Sequence, residues 1–341
     1  MNAPNNGDLP MRVNEIRPAT LRRLQKEAYA RDLDRLRKHL GEFVKVPCPA
    51  CGSNRSQPAF ERFGFSFCRC QLCRTLYMSP RPSPGLMASY YNDSENYKFW
   101  AEHIFPASEA NRREKIHRPM LDYLARACER YGVGRGELVE VGPGFGTFVS
   151  LAKESGLFAG VRAVERTPEM AKACRDRGVH VIERAIEDLQ PDEISSVDVL
   201  VSFEVIEHLF DPGRFLRSAS GLLRKNGLLL LTCPNGEGFD VAALGAHSGQ
   251  VDSEHVNLFN PDSLAGLLRR SGFDVLETAT PGRLDAELVR DAALEGELDL
   301  AARPFLKRVL IDEWERLGAP FQSFLATNGL SSHLRVLARK A

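Results

Sequence analysis

The chain has 341 residues, enough for one full α/β domain and one or two small additions. Its 45 Lys and Arg balance 45 Asp and Glu, which argues against a broad nucleic-acid footprint, and 43% hydrophobic against 26% charged residues predicts a packed core rather than disorder. There is no apolar run of about 18 residues and MNAPNNGDLPMRVNEIR lacks the apolar stretch of a signal peptide, so the expectation is a cytoplasmic protein without membrane insertion.

Residues 1–45 read as a loose, polar start followed by an amphipathic helix. Between Thr20 and Leu40, the apolar residues Leu21, Leu24, Ala28, Leu36 and Leu40 recur at three- and four-residue steps with charges between them. Acidic residues are interspersed with the basic ones, so the pattern predicts a helix packed on its own chain or on a second copy, not a basic arm.

Residues 46–80 hold five of the eight cysteines. Cys48-x2-Cys51 and Cys70-x2-Cys73 are two knuckles separated by eighteen residues, a spacing that can set four thiolates tetrahedrally around one structural zinc ion. Cys68 forms no such knuckle and is left outside the set, while Cys128, Cys174 and Cys233 read as core thiols. Residues 81–130 read as a helical linker or lid. Tyr90, Tyr91, Tyr97, Phe99 and Trp100 in it would either pack between ribbon and main domain or close over an acceptor.

From residue 131 to 341 strands alternate with helices. ELVEVG, VRAVE, VHVI, VDVLVSF and GLLLLT are strand-like, Phe273–Thr278 is a further strand, and HLRVLARK is the last, with a helical insertion at about 284–327. This alternation predicts an α/β, doubly wound, Rossmann-like sheet. In LVEVGPGFGTF the strand carrying Glu140 runs into Gly142, Gly144 and Gly146 and then a helix, so the backbone can approach a ligand closely. The spacing is G-x-G-x-G, not the G-x-G-x-x-G of dinucleotide dehydrogenases. Glu165, about twenty residues on, is placed to accept hydrogen bonds from ribose hydroxyls. In SFEVIEHLFDP, Glu204 and His208 stand one helical turn apart and would share a face. His255 lies in VDSEHVNLFNPDSLAGLL, a loop leading to a helix opened by Asn260 and Pro261 at the ligand edge of the sheet.

The stretch from about Glu137 to Thr278 resembles class I S-adenosylmethionine-dependent methyltransferases, and EVIEHL resembles the branch that includes the ubiquinone-biosynthesis O-methyltransferases. CPACGS…CRCQLCRTLYMSPRPS resembles the zinc-binding domain of sugar C-methyltransferases and of bacterial methyltransferases found with surface-glycan genes. TPGRLDAELVRDA and LSSHLRVLARK look like the same group. The resemblance implies a seven-stranded methyltransferase sheet with an N-terminal zinc ribbon and helical additions. It implies S-adenosylmethionine held by Glu140, Gly142, Gly144, Gly146, Glu165, Ile186, Glu187 and Glu204, with Ile186 and Glu187 near the adenine and Glu204 beside the methionine end. It also implies zinc (Zn2+) on Cys48, Cys51, Cys70 and Cys73.

The expected reaction is methyl transfer to a small molecule or a sugar or glycan hydroxyl, with His255 as first candidate for the base. Glu254 would orient substrate hydroxyls, and His208 is the next candidate. The sugar C-methyltransferases have a similar Glu-His pair there, implicated in their catalysis. They also carry a further large C-terminal domain, whereas about sixty residues follow Pro281 here, so O-methylation is the more natural expectation. The alternatives are C-methylation of a nucleotide-linked sugar, an RNA methyltransferase gripping nucleic acid with the ribbon, and a binding protein without catalysis. The expected partners are a small-molecule or glycan acceptor and a possible second copy of the chain, with no nucleic acid.

Overall fold

The computed structural model of the protein describes residues 11–189, 193–194 and 196–341. The loose start expected for the first ten residues lies outside them. Among the described residues, no helix is long and apolar enough to cross a membrane.

The larger sheet has seven strands. They are β4 (Glu137–Val141), β5 (Gly160–Val164), β6 (His180–Ile182), β7 (Val197–Phe203), β8 (Leu223–Pro234), β10 (Phe273–Ala279) and β11 (His333–Lys340). Their order across the sheet is β10-β11-β8-β7-β4-β5-β6, and β11 alone runs against its neighbours. The predicted α/β, doubly wound, seven-stranded sheet is thus present, with every predicted strand in place. β8 shows why these segments are strands: eight consecutive residues from Gly227 to Pro234 are buried, as suits a central strand covered on both faces. β4 lies between β5 and β7, so successive crossovers leave it in opposite directions. That switch point opens a crevice at the carboxyl ends of β4 and β7.

The smaller sheet is built from β1 (Ser56–Arg62), β2 (Phe65–Cys70), β3 (Leu76–Met78) and β9 (Asn257–Leu258), in the order β1-β2-β3-β9. The cysteine segment therefore takes its fourth strand from the loop that carries His255. Leu76 pairs with Leu258, Tyr77 with Asn257, and Met78 N donates to Val256 O at 3.0 Å. Side chains lock the junction. Arg81, 1% exposed, donates to Asn257 Oδ1 at 2.9 Å, and Asn257 Nδ2 donates to the carbonyls of Ile206 and Leu209 at 3.2 and 2.7 Å. Asn260, which caps the helix Pro261–Arg270 through Ser263 N, also donates to Cys73 O at 2.9 Å.

The predicted N-terminal helix runs from Ala19 to Arg37, but its buried face differs from the leucine stripe read in the sequence. Leu24 and Leu40 are 43% and 42% exposed, and the buried positions are Ala28, Asp32, Leu33 and Leu36. Leu33 and Leu36 join Phe65, Phe67, Leu76 and Met78 of the smaller sheet, Tyr90, and Val251, Val256 and Leu258 in one core cluster. The helix is turned by Asp32, whose carboxylate accepts from Ser94 Oγ at 2.7 Å and from the amides of Glu95 and Asn96 at 2.9 Å. Those amides open the helix Glu95–Phe99, which continues through two π-helical turns to Tyr131. The insertion between β10 and β11 folds as helices Asp285–Leu294, Pro304–Lys307 (prolonged to Asp312) and Trp314–Thr327. It shares a small core of Ala286, Val289, Val309 and Leu310 with Phe239.

Asp32→Ala strands two helix-opening amides and a serine hydroxyl in a dry junction. The expected loss of stability is about 2–4 kcal/mol by urea unfolding; a loss below about 0.5 kcal/mol, the range of an ordinary surface change, would show that the junction does not anchor the helix.

Candidate active site

After β4 the backbone of Gly142, Gly144 and Gly146 is left-handed at all three positions, with φ of 71°, 54° and 77°. Their surroundings separate their roles. A Cβ on Gly142 would stand 2.6 Å from Val205 Cγ2, and one on Gly146 2.8 Å from Cys174 Sγ, so these two admit neighbouring chain. A Cβ on Gly144 would meet nothing within 4 Å, so this glycine faces open crevice. Beside it Glu140 is 3% exposed with Oε2 unpartnered, and Thr147 Oγ1 is also buried without a partner. Burial pushes the Glu140 carboxyl up to about 8. Glu165 ends the adjacent strand at 7% exposure, its Oε1 held by Thr167 N at 2.8 Å. Unpartnered acidic oxygens beside a glycine turn fit a ligand with positive charges and ribose hydroxyls, as S-adenosylmethionine has.

Ile186 and Glu187 lie in a 3-10 turn, Ile186–Asp188, after β6. Ile186 is buried in the core under the sheet, and both line a cavity that reaches Ser196 and Leu223 at the amino ends of β7 and β8. Glu204 and His208 depart from the one-turn, one-face arrangement. Glu204 is left-handed (φ 54°) and Ile206–His208 is a 3-10 turn, so the i, i+4 relation of an α-helix does not apply. Glu204 instead approaches His333, 3.5 Å away, and His208 faces the His255 loop.

There the structure assembles a cluster. The rings of His208 and His255 lie 4.8 Å apart. His208 Nδ1 is 3.1 Å from Glu254 O, and His255 Nδ1 is 3.0 Å from Gln250 O. A carbonyl only accepts, so both rings carry their proton on Nδ1 and leave Nε2 as a lone pair. Burial pushes His208 down to about 3. Tyr90 donates to Glu254 Oε1 at 3.1 Å, and Tyr91 Oη lies 3.3 Å from His208 Nδ1. Burial and nearby Asp252 push the Glu254 carboxyl up to about 7. Two of the tyrosines read from the sequence thus join catalytic candidates, while Trp100 lines the pocket described next. Sequence reasoning passed over Glu207. It is fully buried with both carboxylate oxygens unpartnered, and the signal was the second carboxylate of EVIEHL.

A cavity of about 590 Å3, within the usual range for small-molecule sites, opens at the carboxyl ends of β7 and β8 and the start of β11. Phe203, Glu204, Thr232 and His333 line it from the sheet, Trp100, Arg112 and His117 from the long helix, and Leu284 and Asp285 from the insertion. Gln250, whose carbonyl holds His255, lines it too. The guanidinium groups of Arg17 and Arg126 reach it and make no hydrogen bond among the described residues, and Arg335 lies over the Tyr123 ring. Burial with Arg112 and Arg113 pushes His117 down to about 3.

At the smaller sheet, Cys48 Sγ lies 3.4 Å from Cys73 Sγ and Cys51 Sγ 3.5 Å from Cys70 Sγ, all four within 4.8 Å of one another. Gly52 and Arg74, the residues after each knuckle, are left-handed, which turns both pairs inward. Cys68 points elsewhere, to Ser79 O.

Residues 110–278 match the family model described as a methyltransferase domain. The chain carries a class I S-adenosylmethionine-dependent methyltransferase domain. A protein named as a probable S-adenosylmethionine-dependent methyltransferase of Mycobacterium tuberculosis is 35% identical over 114 residues, 33% of this chain and 39% of that protein. The chain thus spans about two fifths of the length of this relative. The ubiquinone biosynthesis O-methyltransferase of Xanthomonas axonopodis pv. citri is 29% identical over 169 residues, 46% of this chain and 68% of its own. A solved S-adenosylmethionine-dependent methyltransferase from Clostridium acetobutylicum aligns with 72% of this chain and 99% of its own at a TM-score of 0.48 and 11% identity.

Glu165→Ala in this methyltransferase domain should weaken S-adenosylmethionine by about 1–3 kcal/mol in calorimetry, the cost of unpairing hydrogen bonds to a charged acceptor. Unchanged affinity would refute the ribose assignment.

Proposed function

We propose that the chain transfers a methyl group from S-adenosylmethionine to a hydroxyl of a small molecule or sugar bound in the cavity at the carboxyl ends of β7 and β8. The observation that carries this reading is the junction of three features on one sheet edge: the open face of Gly144, the unpartnered Oε2 of Glu140, and the cavity bordered by Glu204 and Gln250. S-adenosylmethionine, when bound, supplies an electrophilic methyl on a sulfonium. The chain supplies the rest. Glu140, Gly144 and Glu165 would hold the cofactor, the long helix and the insertion would exclude water, and the arginines of the cavity favour an acceptor that also bears an anionic group. His255 is held by Gln250 O and Asp252, so its Nε2 lone pair is fixed in direction and free to take the hydroxyl proton. Glu254, presented by Tyr90, would accept from a second acceptor hydroxyl.

The four-cysteine cluster would bind a structural zinc ion. Tetrahedral thiolates with bonds of about 2.3 Å stand about 3.8 Å apart, and the observed sulfur pairs sit close to that spacing. All four positions are filled by protein, so the ion would support structure and not chemistry.

His255→Asn should cut turnover by about 10²–10⁴ while leaving S-adenosylmethionine affinity unchanged. Near-full turnover with the same acceptor would remove His255 from the reaction and leave positioning alone to account for the rate.

A further inference from the structure

The cavity at the carboxyl ends of β7 and β8 carries positive charge that its own residues do not use. Among the described residues that line it, five are arginines and three are carboxylates. Two of the arginines serve as props: Arg112 donates to the carbonyl of Ile16 at 2.9 Å, and Arg283 to that of Lys115. Of the carboxylates, Asp285 accepts from Ser331 Oγ at 2.8 Å and from Gln322 Nε2 at 2.7 Å, and Glu204 lies 3.5 Å from His333 Nδ1. Asp122 stands one helical turn from Arg118 as well as from Arg126. That leaves Arg17, Arg126 and Arg335, which make no hydrogen bond or ion pair among the described residues.

Arg335 shows how the fold holds such a group ready. Its guanidinium lies over the Tyr123 ring, 3.6 Å from the centroid. The ring is itself fixed, because Tyr123 Oη donates to Glu277 Oε2 at 2.9 Å. Glu277 also accepts from Tyr131 Oη at 2.9 Å and from Arg130 Nη1 at 2.7 Å, so its charge is met there and Arg335 stacks instead of pairing with it. A guanidinium stacked on a ring keeps its N–H donors at the edge, where an oxyanion can take two at once. Arg126 follows Tyr123 by three residues on the helix Arg118–Tyr131, so the two share a face and a stretch of cavity wall. Arg17 arrives from the start of the chain, where Asn111 Nδ2 and Arg112 Nη2 hold the carbonyls of Glu15 and Ile16 at 3.2 and 2.9 Å.

We propose that Arg126 and Arg335, joined by Arg17, form an oxyanion subsite, and that the acceptor is a small molecule carrying a phosphoryl or carboxylate group in addition to the hydroxyl that is methylated. Like charges gathered in a cleft concentrate their field, which draws an anion in and fixes which end of it enters first. Only the naming of the ligand as acceptor rests on the methyl-transfer reading; binding of the anion does not.

The test uses the full chain and three probes built on one ring: phenyl phosphate, benzoate and benzyl alcohol. Trp100 lines the cavity, so tryptophan fluorescence reports its occupancy. At low salt, at least one of the two anions should bind about 10-fold or more tighter than benzyl alcohol, the strength of a hydrogen bond to a charged group. A preference for phenyl phosphate assigns a phosphoryl group, and a preference for benzoate a carboxylate. Arg126→Gln and Arg335→Gln should each weaken the anion by about 10-fold and leave benzyl alcohol unchanged. Arg23→Gln, at a fully solvated position of the N-terminal helix, should change neither. Arg126 is exposed, so its variant remains informative if loss of the Arg335 stack disturbs Tyr123. The proposal is overturned if neither anion binds tighter than benzyl alcohol, if folded Arg126→Gln binds the anion as wild type does, or if Arg23→Gln loses as much as the cavity variants. S-adenosylmethionine affinity is measured in parallel. A chain that binds the anion but no cofactor would defeat the methyl-transfer reading and leave the subsite standing, and a chain that binds the cofactor but neither anion would defeat the subsite alone.

Discussion

Two residues of strand, Asn257 and Leu258, join the cysteine segment to the catalytic candidates, and much of the site depends on that pairing. The knuckles fix the ends of β2 and the approach to β3, and β3 pairs with β9. β9 follows Glu254 and His255 directly, so their loop cannot move far while the pairing holds. Arg81 and Asn257 extend the connection to the carbonyls of Ile206 and Leu209, on either side of Glu207 and His208. The N-terminal helix and Tyr90 close the same core from outside. The cysteine segment in this position acts as the mount for the site.

The electrostatics of the crevice follow from burial without partners. Glu140 and Glu207 are enclosed by the elements that meet at the switch point, and Glu207 has the His208 ring against it, Nε2 4.0 Å from its Oε1. Both carboxyls are pushed above their ordinary range by burial, an arrangement that a folded core does not need and a bound cation would relieve. On the cavity side the imbalance is reversed, with Arg17 and Arg126 open to a ligand. The site thus presents acidic groups toward the cofactor turn and the histidines, and basic groups toward the space where an acceptor would lie.

What could be read from the sequence follows from how local each signal is. The apolar runs of β4, β7 and β8 and the G-x-G-x-G turn are contained within a few residues, and the fold reproduces them. The two CxxC knuckles carried their own spacing, and their sulfurs converge. The β3–β9 pairing joins residues about 180 positions apart through a two-residue strand, which no periodicity announces. Asp32 is the buried acceptor for two amides of another helix, and it shares the buried face with Ala28, Leu33 and Leu36 while Leu24 and Leu40 stay exposed. Glu204 drew attention over Glu207 because an α-helical spacing was assumed. A left-handed residue followed by a 3-10 turn exchanged their environments, leaving Glu204 half-exposed and Glu207 enclosed.

The cysteine segment holds the His255 loop in place through the β3–β9 pairing, and hydrogen exchange tests this most directly. Cys51→Ser weakens the cysteine cluster without touching β9 or the histidines. Exchange should speed up across residues 250–260 while the amides of β4, in the core of the larger sheet, keep their protection. Unchanged protection of residues 250–260 in the folded Cys51→Ser variant would contradict that coupling.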